Sequence, residues 1–141
     1  VTHMRNKTFI IGCGRLGANV ANESSSRGES VIVLDSDKTS FGRLDAQFSG
    51  ITVTGNATSM ETLVESGIYQ ANDLLIATGD DNLNLFLAHV CAKTFQVPHI
   101  YVRFNDPDEG LLVQGMNVKA IYPFQLSRAR FNVLRDGGDA Q

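Results

Sequence analysis

The residues with the clearest chemical potential are three glycines, spaced as Gly12-Cys13-Gly14-Arg15-Leu16-Gly17 directly after an apolar run. In this spacing the first glycine permits a tight turn, the second lets the backbone approach a phosphate, and the third lets a helix pack closely on a strand. Free amides at the start of that helix attract anions, helped by the positive end of the helix dipole. The pattern predicts a phosphate-binding turn.

An acidic residue ends the next apolar run, at the position where a Rossmann-type nucleotide site has a carboxylate. A carboxylate at the position of Asp35 accepts hydrogen bonds from ribose hydroxyls and repels a 2′-phosphate, which disfavours NADP. Ser36 and Asp37 follow it and are included as candidates on the ribose side, although a solvated loop acid is the favoured role of Asp37. The glycines and the acid together predict a site for an adenine nucleotide.

Two arginines are candidate phosphate ligands, because a guanidinium binds phosphate oxygens in a bidentate manner. Arg15 lies between the second and third glycines and is expected to reach a diphosphate or a third phosphate; its alternative role is a surface arginine. Arg103 ends the fifth apolar run. It either completes an anion site or pairs with Asp106 or Asp108.

Two further turns are expected at the same edge of the sheet. Asn56 follows the third apolar run, and its amide offers a donor and an acceptor to the edge of an adenine. Thr78 and Gly79 follow the fourth run, at the point where the strand order reverses and ligands bind. Asp80 is expected either beside the ligand or as the cap of the next helix.

Short apolar runs alternate with longer amphipathic segments along the whole chain. This alternation predicts an α/β fold, namely a Rossmann-type, doubly wound parallel sheet of six strands in the order 3-2-1-4-5-6. Strands are predicted at 8–11, 30–34, 51–54, 73–77, 99–103 and 118–122, and helices at 15–27, 38–47, 59–66, 82–95, 107–115 and 125–135.

The composition fits one compact domain. The chain has 141 residues, of which 43% are hydrophobic, and we expect a single domain over 7–135, preceded by start or tag residues at 1–6 and followed by a flexible tail at 136–141. A net charge of −3 gives no support to nucleic-acid binding. Cys13 and Cys91 lack the spacing of a zinc site or a disulfide framework, so we expect no metal and a cytoplasmic protein.

The residues that would make this domain an enzyme are missing from the predicted site. His99 begins its strand and is expected at the opposite edge of the sheet, and His89 lies within an apolar helix. Hydride transfer usually needs an acid–base group beside the cofactor. A binding domain is therefore favoured, and the alternatives are the cofactor domain of an NAD-dependent oxidoreductase or a structural module with a vestigial site.

The last predicted helix is amphipathic and follows the final strand, where the sheet is already complete. Phe131 and Leu134 give it an apolar face beside Arg128, Arg130 and Arg135. That face either packs on the domain's own sheet or contacts a partner.

In order and spacing, the motifs between Lys7 and Tyr122 resemble the KTN/RCK domains, the cytosolic nucleotide-binding regulators of Trk- and Ktr-type potassium transporters and related channels. The resemblance rests on the glycine motif, the acid-ended second strand and the following segments. These segments are Gly55-Asn56-Ala57-Thr58, Ala77-Thr78-Gly79-Asp80-Asp81-Asn82-Leu83-Asn84 and Val102-Arg103-Phe104-Asn105-Asp106-Pro107.

The resemblance implies a non-enzymatic regulator that binds NAD(H) or ATP/ADP, with AMP as a further candidate. It implies homodimers, with an octameric ring as the larger assembly, and a membrane-embedded potassium transporter or channel subunit as partner at the inner face of the plasma membrane. The last helix would cross to a partner subunit. By the same resemblance, the phosphates would be held by Gly12, Gly14, Arg15 and Gly17, and Cys13 and Leu16 belong to the same turn. The ribose would be held by Asp35 and the adenine by Asn56 and Ala57. The switch-point side of the site would be lined by Thr78, Gly79 and Asp80.

The sequence departs from the family pattern at two points, so not every feature of the family can be assigned to it. Members often place a glutamate after the proline that follows the sixth strand, and in some it helps to bind a divalent cation. Here Pro123 is followed by Phe124 and Gln125, which speaks against that metal site. The second ligand-binding lobe of full-length members is also missing from this sequence.

Overall fold

Six parallel strands form one sheet in the order β3-β2-β1-β4-β5-β6, as predicted. The computed structural model describes residues 4–138, so the ends of the predicted start segment and tail, 1–3 and 139–141, lie outside the described residues. The strands are β1 (Lys7–Ile11), β2 (Ser30–Asp35), β3 (Ile51–Thr54), β4 (Ala71–Ile76), β5 (His99–Arg103) and β6 (Val118–Ile121).

Four α-helices and three short 3₁₀ helices connect and follow these strands. The α-helices are α1 (Arg15–Ser26), α2 (Met60–Ser66), α3 (Asp81–Lys93) and α4 (Pro123–Arg135), and the 3₁₀ helices are Lys38–Arg43, Ile68–Gln70 and Pro107–Val113. None of the helices between residues 4 and 138 combines the length and the apolar character needed to span a bilayer.

Two segments predicted as ordinary helices, 38–47 and 107–115, are 3₁₀ helices that end early. Each contains a glycine, Gly42 or Gly110, which costs about 1 kcal/mol in a helix interior relative to alanine. Each also begins with an aspartate, Asp37 or Asp106, that accepts a hydrogen bond from the backbone two residues on. This tight local geometry favours 3₁₀ turns over a long α-helix.

The other helix ends follow the local chemistry of the sequence. The Ser59 side chain accepts from the Thr62 amide at the start of α2, and Gly67 ends that helix in the left-handed region at φ 102°. Pro123 begins α4, two residues before the predicted start, because its missing N–H and fixed φ suit a first helical position.

The core lies on both faces of the sheet because successive strand residues point to opposite sides. On one face Phe9 and Ile11 pack with Leu87 of α3 and Leu63 of α2. On the other face Ile10 packs with residues of α1 and the neighbouring strands. Helix α4 contributes no buried residue, so its apolar side chains do not pack on the domain's own sheet.

In the turn from β1 to α1 the backbone of the helix lies directly against the backbone of the turn. A Cβ at Gly17 would lie 1.8 Å from the carbonyl oxygen of Gly12, whereas a Cβ at Gly14 would meet nothing within 4 Å. Helix and strand therefore approach closely at Gly17 only because it has no side chain. Gly14 leaves open space instead.

We expect Gly17→Ala to lower the free energy of unfolding by about 1–3 kcal/mol, the usual cost of overpacking, because its clash is with backbone that cannot easily move. The gain of about 1 kcal/mol that alanine normally brings to a helix interior is smaller than this clash. Gly14→Ala is the matched control and should change the unfolding free energy by less than about 0.5 kcal/mol. Urea denaturation measures both, and equal effects would contradict the assignment of the close contact to Gly17.

Candidate functional site

A cleft of about 380 Å³ opens at the carboxyl edge of the sheet, across the ends of β1, β2, β4 and β5. This volume falls within the range of about 300–1,000 Å³ that is typical of small-molecule sites. Most of the predicted site residues line it, namely Gly12, Gly14, Asp35, Ser36, Asn56, Ala57, Thr78, Gly79 and Arg103.

The glycine turn forms the floor of the cleft. Gly12 has φ 103°, and a Cβ there would lie 2.5 Å from the carbonyl oxygen of Ala77, so the turn packs directly on the end of β4. Gly14 precedes α1 in an extended conformation, without a side-chain cap and without an acid in the first turn of the helix. The first amides of α1 are therefore left without intrahelical or capping partners, as an anion site requires.

Asp35 fastens the end of β2 to the glycine turn. Its Oδ2 accepts a hydrogen bond from the Cys13 amide at 2.7 Å, and its Oδ1 accepts one from the Asp37 amide at 2.8 Å. Each carboxylate oxygen has a further lone pair, which leaves acceptor capacity toward the cleft. The carboxylate thus lies where the sequence predicted it, facing the glycine-lined crevice.

Two of the predicted acids serve the backbone and do not line the cleft. The Asp37 carboxylate accepts from the amide and the hydroxyl of Thr39, and these hydrogen bonds lower the pKa of Asp37. Asp80 caps α3 by accepting from two amides of its first turn. Asp80 therefore takes the capping role that the sequence left open, whereas Asp37 caps the 3₁₀ helix, a role that was not predicted.

The remaining residues of the glycine motif also stay out of the cleft lining. Cys13 is buried in the core, and Leu16 of α1 is partly buried against the same cluster. Burial together with the Asp35 charge raises the pKa of the Cys13 thiol. Gly17 serves helix packing. Arg15 is exposed and makes no hydrogen bond or ion pair with any residue from 4 to 138, so its contact with a phosphate stays a prediction.

A fully buried asparagine organises the switch-point side of the cleft. Asn84 of α3 is 0% exposed, and its Oδ1 accepts from the amide and the hydroxyl of Thr78. Its Nδ2 donates to the carbonyl oxygens of Thr78 at 3.1 Å and of Arg103 at 2.9 Å. One side chain therefore holds the ends of β4 and β5 in register. This role of Asn84 was not predicted, although a polar residue inside an apolar helix is a visible signal in the sequence.

Arg103 reaches the cleft from the end of β5. Its Nη2 donates to the carbonyl oxygen of Thr78 at 2.7 Å, and its Nε is buried without a hydrogen-bond partner. The ion pair with Asp106 or Asp108, which the sequence left open, is not formed in the described part of the chain.

Seven further lining residues were not among the predicted site residues, namely Ile11, Leu34, Ser40, Arg43, Gly55, Ala77 and Leu83. Arg43 donates from Nη1 to the carbonyl oxygen of Cys13 at 3.4 Å. Ser40 and Arg43 belong to the 3₁₀ helix that follows β2. The aspartate that starts this helix was the available signal, because its turn carries the chain back over the end of β2.

The described histidines, His89 and His99, lie outside the cleft lining, and His99 begins β5 as expected. Across residues 4–138 no group of three His, Cys, Asp or Glu side chains could hold a metal ion.

Comparison with known proteins decides the family. The model of the TrkA-N domain matches residues 8–123. The chain belongs to the TrkA-N domain family. A Streptomyces coelicolor protein named Trk system potassium uptake protein TrkA is 35% identical over 112 residues, which cover 79% of this chain and 50% of that protein. The chain thus spans about half the length of this relative.

Solved structures of other proteins share the fold of this TrkA-N domain. The GsuK channel bound to NAD superposes with a TM-score of 0.77 at 24% identity, covering 92% of this chain and 23% of that one. The Kef CTD of Shewanella denitrificans in AMP-bound form superposes with a TM-score of 0.72 at 21% identity, covering 96% of this chain and 84% of that one. These likenesses confirm the Rossmann-type architecture predicted from the sequence.

We expect Asn84→Ala to destabilise the domain by about 2–4 kcal/mol, because several buried partners lose their hydrogen bonds and each unsatisfied group costs about 1–3 kcal/mol. Asn82→Ala is the matched control on the same helix, since Asn82 is exposed. Thermal and urea unfolding measure the difference. A loss no greater than that of the control would show that Asn84 does not hold the two strand ends.

Proposed function

We propose that this TrkA-N domain binds an adenine nucleotide in the cleft and regulates a potassium uptake system in response to it. One observation carries the nucleotide assignment: the uncapped start of α1 and the Asp35 carboxylate meet at one glycine turn and line one cleft. Positive backbone ends attract phosphates, and the carboxylate suits ribose hydroxyls.

The residues of the cleft fit such a ligand along its length. The open space beside Gly14 leaves room for a phosphate against the backbone, and Gly12 gives that backbone its turn. Asp35 and Ser36 would hold the ribose, and the Asn56 amide with Ala57 would face the adenine. The surrounding turns would be shaped by Asp37, Asp80, Cys13, Leu16 and Gly17. Contacts to the phosphates or to a second ribose would come from Arg15, Thr78, Gly79 and Arg103.

Either NAD(H) or ATP/ADP presents the groups that this cleft recognises, with AMP as a smaller candidate. Of the structurally similar proteins, the GsuK channel is bound to NAD and the Kef CTD is bound to AMP. A ligand shared by the glycine turn and the Thr78 turn would bridge β1 and β4. It would shift the domain between conformations to the extent that it binds them with different affinities.

The potassium role is supported by the named relative, a Trk system potassium uptake protein. We propose that this domain acts in the cytoplasm at the inner face of the plasma membrane, beneath a potassium-conducting membrane subunit, and that it gates this subunit without catalysing a reaction.

The exposed face of α4 supports self-association. Phe124, Leu126 and Phe131 are 65%, 66% and 58% exposed, and no residue of α4 is buried. An apolar helix face left in water is a common sign of a protein contact. We propose that α4 crosses to a second copy of the chain to form a dimer, and that dimers assemble into a ring, with eight subunits as the expected size.

Nucleotide binding is tested first by thermal unfolding of the purified domain with NAD, NADH, ATP, ADP and AMP in turn. At a hundredfold excess over Kd, a ligand adds about 2.7 kcal/mol of stability, which raises the melting temperature by several degrees. No shift with any of the five would rule out the proposed ligand class.

Asp35→Asn should weaken the nucleotide that binds by about 10- to 100-fold, because a hydrogen bond to a charged group contributes about 1.5–3 kcal/mol. Asp45→Asn is the matched control, since Asp45 is exposed and does not line the cleft. Isothermal titration calorimetry gives both affinities. An unchanged affinity of the folded Asp35→Asn protein would show that this carboxylate does not hold the ribose.

Leu126→Lys combined with Phe131→Lys should convert the proposed dimer to a monomer with little loss of folding stability, because both side chains are exposed in the single chain. Val64→Lys on α2 is the control, with a side chain that is also exposed. Sedimentation equilibrium measures the mass of each protein. A monomeric wild-type chain, or a variant that remains dimeric, would contradict the role of α4.

A further inference from the structure

The turn that follows β3 is closed by both the side chain and the main chain of Asn56. Its Oδ1 accepts hydrogen bonds from the Thr58 amide at 2.9 Å and from the Thr58 hydroxyl at 2.7 Å. Its carbonyl oxygen accepts from the Ser59 amide at 3.1 Å. A backbone N–H can only donate, so the oxygen of the side-chain amide must be the atom that faces Thr58. The turn therefore sets the orientation of the Asn56 amide.

Only the amide nitrogen of Asn56 remains for a ligand. An amide oxygen has two lone pairs, and Thr58 takes both of them. The Nδ2 group makes no hydrogen bond with any residue from 4 to 138. The side chain is exposed and lines the cleft. A donor and an acceptor were expected at this position, whereas the folded turn offers the cleft a donor alone.

Asn56 lies where the base of a bound nucleotide would fall. The Gly55 amide donates to the Asp35 carbonyl oxygen at 3.1 Å, so the ends of β2 and β3 are joined. The sheet order places the glycine turn at the end of β1, Asp35 at the end of β2 and Asn56 after β3. Neighbouring strands are about 4.8 Å apart. With the phosphates at α1 and the ribose at Asp35, the base extends toward Asn56.

The group at position 6 of a purine decides how the base meets a lone donor. Adenine carries an amino group there, a donor beside the acceptor N7, whereas guanine carries an oxygen, so that O6 and N7 are both acceptors. An asparagine recognises adenine through a bidentate contact that needs its amide oxygen as well as its nitrogen. That contact is not open to Asn56, because its oxygen is held by Thr58. An oxygen at position 6, by contrast, accepts from the free NH₂ group.

We infer that the cleft also takes 6-oxopurine nucleotides, those of guanine and hypoxanthine, and that Asn56 is the residue that admits them. Its Nδ2 donates to O6 of the base, while the ribose and the phosphates keep the contacts proposed for an adenine nucleotide. This inference rests on the proposed function and adds a second class of base to it.

The test compares ADP, IDP and GDP by isothermal titration calorimetry. The hypoxanthine of IDP has an oxygen at position 6 where ADP has an amino group, with a proton on N1 as the consequence. IDP and GDP should bind the wild-type domain at least as tightly as ADP, and the hydrogen bond to O6 should favour them by about 2- to 10-fold. GDP adds a 2-amino group, so similar affinities for IDP and GDP assign the effect to position 6.

Asn56→Asp should reverse the preference, because a second carboxylate oxygen replaces the NH₂ group, accepts from the amino group of adenine and repels O6. The ratio of IDP affinity to ADP affinity should fall by about 10- to 100-fold. The turn itself should survive, since Asp37 makes the same pair of hydrogen bonds with Thr39 at 3.0 and 2.7 Å. Asn132→Asp is the matched control: it adds the same charge at an exposed position of α4 outside the cleft lining and should leave the ratio unchanged.

Two outcomes overturn the inference. One is weaker binding of IDP or GDP than of ADP to the wild-type domain, and the other is an unchanged ratio in the folded Asn56→Asp protein. If Asn56→Asp does not fold, Asn56→Ala decides: it removes the donor without adding an acceptor and should lower the ratio by about 2- to 10-fold, and an unchanged ratio counts against the inference. Binding of ADP without IDP refutes this inference alone, whereas binding of none of the three ligands refutes the proposed function as well.

Discussion

The close approach of backbone to backbone at the turn between β1 and α1 is the constraint on which the rest of the structure depends. Gly12 packs on Ala77 at the end of β4, and Gly17 packs on Gly12. Asp35 ties the same turn to β2 through the Cys13 amide. Three strands and one helix thus meet within a few residues. This convergence places uncapped amides and a carboxylate at the same point, and the cleft is its consequence.

Charge in the cleft is arranged along a line. A carboxylate at Asp35 lies on one side of the glycine turn, the positive end of α1 lies at the turn, and the guanidinium of Arg103 lies beyond it on the switch-point side. The other acids near the cleft hold turns and helix starts, so they do not disturb it.

The switch-point side is tied to the rest of the fold by Asn84. This one buried side chain links Thr78 to the end of β5 by hydrogen bonds to the carbonyl oxygens of Thr78 and Arg103. Helix α4, in contrast, has no buried residue in the single chain. The hydrogen-bonded edge of the cleft and the exposed apolar residues of α4 are therefore separate features of the domain.

Local patterns in the sequence determined the succession of strands and helices, the glycine turn and the acid of β2, because each depends on residues close together in the chain. The strand order followed from the general rule for sheets built of alternating strands and helices. The tertiary structure alone decided which polar groups face the cleft. Whether Asp80 faces a ligand or an amide, and whether Arg103 meets an acid or stays unpaired, depends on distances between segments far apart in sequence. The positions of Arg43 and Asn84 were likewise set by how the 3₁₀ helix and α3 pack on the sheet, which periodicity does not encode.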